Sequence, residues 1–220
     1  GAALRLADLL GPKGWLAGAD AGPWWRDWLN RYGEEPLGVA RPATTAEVAA
    51  VIAVCGKARV VVVPRGGNTG LCGAAVLGRP GGVILSLARM AAVGDVDAAS
   101  ASVTVEAGVV LAALHARLEG TGLQFPLRLG AEGSAQVGGL IGTNAGGSHA
   151  FRHGMMGDLV LGLEVVLPDG TVWDGMRAVQ KDNAGYQLRR LFCGAEGTLG
   201  VVTRAVLRLA PVPARRTTAL

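Results

Sequence analysis

A chain of 220 residues, half of them hydrophobic and 17% charged, fits one large domain or two small subdomains around a substantial core. Its net charge of +4 is small and scattered over Arg5, Arg41, Arg65, Arg128, Arg204 and others, and no stretch holds the ~20 apolar residues of a membrane span, so neither nucleic acid nor an integral membrane position is expected. The 35 glycines, roughly twice the usual share, keep no three-residue period and lie between apolar runs, which excludes collagen and disorder.

Residues 1–35 hold Trp15, Trp24, Trp25 and Trp28 between breaks at Gly11-Pro12 and Gly22-Pro23. They read as an N-terminal arm with one short helix over 4–10, and the tryptophans as a hydrophobic clasp in preference to a ligand platform. Thr44 and Glu47 then form a capping box, and Val48, Val51, Ile52 and Cys55 follow at i, i+3, i+4 and i+7, predicting a helix that ends at Gly56. The run 60–63 predicts a short strand covered on both faces, and 83–87 and 102–106 predict two more. Leu111, Leu114, His115 and Leu118 repeat the helical stripe, so His115 is expected in a core or groove. Residues 159–167 and 171–174 flank Pro168-Asp169-Gly170, a hairpin, and 201–209 is a further long strand. The expected architecture is α+β: a small α/β subdomain over about 36–106 and a mainly antiparallel sheet subdomain over about 107–211.

Four glycine-rich segments border these strands and carry the functional signal. The first is Pro64, Arg65, Gly66, Gly67, Asn68, Thr69 and Gly70; the second is Gly130, Ala131, Glu132, Gly133, Ser134, Ala135 and Gln136, continuing to Gly139. The third is Thr143, Asn144, Ala145 and Gly146, and the fourth is Glu196, Gly197, Thr198, Leu199 and Gly200, leading into Val201 and Val202. Glycine lets a ligand approach the main chain, and successive N–H groups in such turns form a nest for a pyrophosphate. Thr69, Ser134 and Thr143 add hydroxyl groups. Ordinary tight turns would explain one such loop, but four of them point to a large ligand. There is no G-x-G-x-x-G and no G-x-x-x-x-G-K-[ST], which leaves a dinucleotide held by a different loop chemistry.

Three segments carry a family resemblance: residues 64–73 (PRGGNTGLCG), 162–170 (GLEVVLPDG) and 181–200 (KDNAGYQLRRLFCGAEGTLG). They resemble the flavin domain of the vanillyl-alcohol-oxidase superfamily, and within it the FAD-dependent D-2-hydroxyacid dehydrogenases, such as D-2-hydroxyglutarate and D-lactate dehydrogenases and the FAD-linked subunit of glycolate oxidase. The resemblance spans about 36–211 and implies that 64–70 is the pyrophosphate loop. It further implies that 130–136, Gly139 and 143–146 line the flavin and its ribityl chain, and that 196–202 closes over the cofactor. Asn68 stands where some relatives carry a histidine bonded to the flavin, which implies non-covalent FAD. His153 stands where close relatives often have tyrosine, and Arg128 where they often have aspartate.

His149 and His153 are four apart, but the glycines around them predict a loop, and no metal is expected. In the family the base, the carboxylate-binding cation and a divalent metal site lie in a cap domain beyond the flavin domain. Residues 212–220 are therefore expected to begin a linker to that cap, and no catalytic residue is assigned within this chain. A 2-hydroxy acid as substrate and a quinone or electron-transfer protein as acceptor are implied by the same resemblance. The alternatives are a non-catalytic flavin-binding or electron-transfer subunit, and a cofactor-free remnant used for protein contacts. Cys55, Cys72 and Cys193 are odd in number and far apart, and no secretory signal opens the chain, so free thiols and a cytoplasmic location are expected.

Overall fold

The computed structural model describes residues 1–215 and 217; of the expected linker, residues 216 and 218–220 lie outside the described residues. Helix α1 (Ala2–Gly14) buries Leu6 and Leu10, breaks at Gly11 (φ 64) before Pro12, and resumes, so it runs beyond the expected 4–10. Strand β1 (Trp15–Leu16) pairs antiparallel with β2 (Gly38–Ala40), and a 3-10 helix over Gly18–Trp24 lies between them. The beginning of the chain is thus a working part of the first sheet, not a separate arm.

Helix α2 (Thr45–Ala58) starts where the sequence places its cap. The Glu47 N–H donates to Thr44 Oγ1 at 3.1 Å, and Glu47 Oε2 accepts from the Ala43 N–H at 2.7 Å. This arrangement satisfies main-chain donors that the first turn leaves open. The helix ends at Ala58, two residues later than expected, with Arg59 in the left-handed conformation (φ 54) as its C-cap, and it buries Val48, Val51 and Cys55. Strand β3 (Val62–Arg65) and strand β4 (Val83–Ser86) run parallel in the order β1-β2-β4-β3. The strand read over 60–63 is therefore shifted toward the glycine loop and includes Pro64 and Arg65.

The second sheet begins with β5 (Val93–Asp97) and β6 (Ser102–Glu106). Next come α3 (Leu111–Leu118), β7 (Leu123–Gln124), α4 (Val137–Gly142), α5 (Ala150–His153) and α6 (Met156–Leu159). Strands β8 (Val160–Val166) and β9 (Val172–Gly175), helix α7 (Arg189–Phe192), β10 (Val201–Arg208) and β11 (Ala210–Pro211) complete the chain. The sheet order is β5-β6-β10-β8-β9, antiparallel throughout. The α+β class is as expected, but 93–106 belongs to this sheet and not to the first subdomain. The expected hairpin is present: Gly170, at φ 87, donates its N–H to the Leu167 carbonyl at 2.9 Å.

The two sheets share one core, with Phe125, Leu111, Leu163 and Leu207 fully buried beside Val51 and Leu85. A polar link crosses between them. Glu164 Oε1 accepts from Thr45 Oγ1 at 2.6 Å and from Thr203 Oγ1 at 2.8 Å, where the β10–β8 register shifts at Thr203. The α2 N-terminus is thereby tied to the centre of the antiparallel sheet. This geometry aims the ends of β3 and α4 and the start of β10 at one region.

Candidate functional site

Close main-chain approaches bring the four glycine-rich segments together. A Cβ on Gly66 would lie 3.4 Å from the Gly139 Cα, and one on Gly67 would lie 1.7 Å from the Ser134 carbonyl oxygen. The first and second segments are therefore in backbone contact, which only glycine permits at Gly67. A Cβ on Gly197 would meet the Pro64 ring at 2.8 Å, and one on Gly142 would lie 3.8 Å from the Glu196 Cα. The Glu196 N–H donates to the Gly142 carbonyl at 2.9 Å, which seats the fourth segment on the end of α4. The third segment turns through Asn144 (φ 49), whose Oδ1 accepts from the Gly157 N–H at 2.8 Å.

This region has the polar character and the room that a dinucleotide requires. Among the described residues, the main-chain N–H groups of Gly67, Asn68, Thr69 and Gly70 donate to no other residue. Asn68 takes the left-handed conformation at φ 55, the kind of turn that lets neighbouring N–H groups converge. Asn68 Oδ1 and Gln136 Oε1 are buried without a partner, and buried acceptors are normally satisfied. No atom stands within 4 Å of where a Cβ would point at Gly70, Gly130 or Gly133. A separate cleft of about 220 Å³ lies between α2 and the fourth segment, lined among others by Ile52, Cys55, Val60, Pro64, Leu167 and Gly197, and it does not reach 66–70 or the second and third segments. The residues present fit FAD.

Several expected site residues face elsewhere. The Arg65 guanidinium donates to the main-chain carbonyls of Trp24 and Arg26. Glu132 turns its carboxylate toward Arg128 Nη1 and His115 Nδ1, both at 3.2 Å, and accepts the Leu129 N–H. The Thr143 hydroxyl donates to the Gly139 carbonyl at 3.0 Å, so its proton is already engaged. Ala135 is buried and its carbonyl accepts the Leu111 N–H at the start of α3, while Ala145 accepts the Met156 N–H. Val201 and Val202 are buried β10 residues paired with Val166 and Val165. Thr69, Ser134, Gly146 and Leu199 lie partly or fully at the surface of the segments.

His153 ends the short helix α5, in place of the expected loop, with its ring 6.3 Å from that of His149. Among the described residues no group of three or more His, Cys, Asp or Glu side chains is placed to hold a metal. His115 is held below its ordinary value by burial and by Arg128, with Glu132 opposing. The Asp158 carboxyl is held low by the Arg190 guanidinium, at 2.8 Å. Sequence reasoning missed the part played by Trp24, Arg26 and Tyr32. They touch the first segment through main chain and ring edges, which leave no motif.

The family model described as an FAD binding domain matches residues 36–175. A mitochondrial protein of Oryza sativa subsp. indica, named as a probable D-2-hydroxyglutarate dehydrogenase, is 45% identical over 188 residues, covering 85% of this chain and 34% of its own length. The D-2-hydroxyglutarate dehydrogenase of Xanthomonas citri pv. viticola is 41% identical over 195 residues, covering 89% of this chain and 41% of that protein. The chain thus spans about a third to two fifths of the length of these relatives. Among solved structures, alkyldihydroxyacetonephosphate synthase superposes with a TM-score of 0.84 at 22% identity over 97% of this chain and 41% of the other. A Phl p 4 variant described as a glucose dehydrogenase superposes with a TM-score of 0.80 at 21% identity over 97% of this chain and 44% of the other. These two likenesses establish the fold, which this chain shares with both proteins. The matched domain, the fold and the convergent glycine-rich segments together make this chain a member of the FAD-binding domain family, with FAD as its cofactor.

Proposed function

We propose that this chain is the flavin-holding part of an FAD-dependent D-2-hydroxyacid dehydrogenase, an oxidoreductase that converts the CH–OH of a 2-hydroxy acid to a 2-oxo acid. The observation that carries this reading is the 41–45% identity to proteins named as D-2-hydroxyglutarate dehydrogenases. Bound FAD supplies the hydride acceptor for that chemistry. The N–H groups of 67–70 suit its pyrophosphate, and the second and third segments suit the ribityl chain and ring. Asn68 has no imidazole with which to bond the flavin, which supports dissociable FAD.

The base and the carboxylate-binding cation are assigned outside these 220 residues. His115 is engaged with Arg128 and Glu132 in a half-buried cluster, and His149 and His153 stand on a four-residue helix and its cap. A cap region elsewhere in a longer protein would then supply the substrate groups, and a quinone or electron-transfer protein would reoxidise the flavin. Three unpaired cysteines support a reducing compartment, with the cytoplasm as our reading; the word mitochondrial belongs to the names of some relatives.

Anaerobic mixing of the FAD-loaded chain with D-2-hydroxyglutarate, D-lactate and glycolate tests this assignment. The expected result is no bleaching by any acid and full bleaching by dithionite, while a longer protein that contains this chain bleaches with at least one acid. Failure of that longer protein to respond to every 2-hydroxy acid would overturn the dehydrogenase reading.

A further inference from the structure

Arg65 lies at the end of β3, inside the segment expected to hold pyrophosphate, yet it is only 7% exposed and points away from that segment's N–H groups. Its Nη1 donates to the carbonyls of Trp24 and Arg26, the latter at 3.2 Å, and its guanidinium stands 5.7 Å from the centre of the Trp24 ring. The other arginine near that ring is Arg41, at 5.8 Å. Asp27 completes the arrangement. Its carboxylate accepts the N–H groups of Arg31 at 2.6 Å and Tyr32 at 2.8 Å, which folds 27–32 into a tight turn beside the buried arginine.

The same Arg26 carbonyl also accepts from Asn68 Nδ2 at 3.2 Å. A carbonyl oxygen can only accept, so this bond fixes which way the Asn68 amide faces. Oδ1 is left buried and without a partner. A third contact follows at Gly73, where a Cβ would lie 2.9 Å from the Tyr32 ring. The 24–32 segment therefore grips the first glycine-rich segment at Arg65 and Asn68, and the chain just beyond it at Gly73.

We propose that Arg65 is a positioning residue: it binds no phosphate but hangs the 24–32 segment on the glycine-rich loop, and through the shared Arg26 carbonyl it holds Asn68 so that Oδ1 accepts a hydrogen bond from FAD. The inference rests on the FAD reading above. An ionised phosphate oxygen offers no proton, so the partner of Oδ1 is a hydroxyl or N–H donor of the cofactor. Ordering of the 24–32 segment and binding of FAD are then linked, and each strengthens the other by the same factor.

The test uses this chain with FAD as the probe, in wild type, Arg65→Gln and Arg65→Lys. FAD affinity is measured over a range of salt concentrations, and tryptic cleavage after the exposed Arg26 and Arg31 is followed with and without FAD. Arg65→Gln is expected to weaken FAD at least about tenfold, the loss typical of hydrogen bonds from a charged donor, with an unchanged salt dependence. FAD should protect Arg26 and Arg31 in wild type and not in this variant. Arg65→Lys should fall between the two, because its ammonium ends one bond short of the position of Nη1, the single nitrogen that serves both carbonyls. A shallower salt dependence in Arg65→Gln would mean that Arg65 contacts phosphate and would overturn the inference, as would unchanged affinity with protection intact. If Arg65→Gln does not fold, the lysine variant decides: wild-type affinity and protection there overturn the proposal. No FAD binding by wild type would overturn the cofactor reading itself, and the inference with it.

Discussion

Gly67 sits directly against the carbonyl of Ser134, with space for a hydrogen and for nothing larger: a Cβ there would lie 1.7 Å from the oxygen. A side chain at Gly67 would collide with the second segment's own main chain, and the left-handed residue of this turn is Asn68, at φ 55. Gly67→Val is therefore expected to destabilise the cofactor-free fold, by about 1–3 kcal/mol or more, as overpacked sites do. Thermal unfolding without FAD measures this, and an unchanged melting temperature would show that the two segments are not in contact.

Gly70 is the complementary position. Nothing lies within 4 Å of its absent Cβ, and its φ is not in the left-handed region. Gly70→Val should leave the melting temperature of the cofactor-free chain essentially unchanged while weakening FAD at least about tenfold, through loss of charge-assisted N–H contacts. Calorimetric titration with FAD checks this. Equal affinity in variant and wild type would remove the loop tip from the site.

The His115 cluster makes stability depend on pH in a defined direction. Burial, then Arg128, holds His115 below its ordinary value, so the folded chain keeps it neutral. Its contribution to stability is complete above about pH 6.5 and is lost as the pH falls from there through the folded-state value. Burial pushes Glu132 up, but the Leu129 N–H, His115 and Arg128 together hold it low, so its own contribution disappears only further down, below the ordinary glutamate range. Melting temperatures between pH 7.5 and 5.5 should fall in wild type and fall less in His115→Gln. His153 is also held low, by burial and by Arg152, and His153→Gln serves as the control for its share. An identical slope in wild type and His115→Gln would contradict the account.

The three thiols should differ in reactivity. Burial pushes the Cys55 thiol up to about 11, and it also raises Cys193. Cys72 is exposed and Cys193 half-buried. A thiolate reagent at pH 8 should label Cys72 first and Cys55 only on unfolding. Denatured, unreduced protein should return three thiols; a count of one would mean a disulfide and would overturn the reducing compartment.

Local signals in the chain were legible, and long-range ones were not. Thr44 and Glu47 announce the start of α2, Pro168-Asp169-Gly170 announces the β8–β9 hairpin, and the four glycine-rich segments meet in space. The sequence places β6 in the first subdomain and predicts no strand at β5; the partner that draws β6 into the second sheet, β10, lies about a hundred residues away, and pairing at that distance leaves no local pattern. Arg65 and Glu132 were legible as loop residues but not in their direction. Their side chains are turned by carbonyls and ions contributed from 24–26, 115 and 128, which no spacing rule connects to the loops.

An equilibrium titration of the cofactor-free chain with FAD, followed by acid precipitation of the complex, tests whether the four segments form a dissociable cofactor site. Saturation at one FAD per chain, with all flavin released into the supernatant, is the expected result. Flavin that stays with the denatured chain would contradict dissociable binding at Asn68, and absence of saturable binding would contradict the assignment of the four segments as a cofactor site.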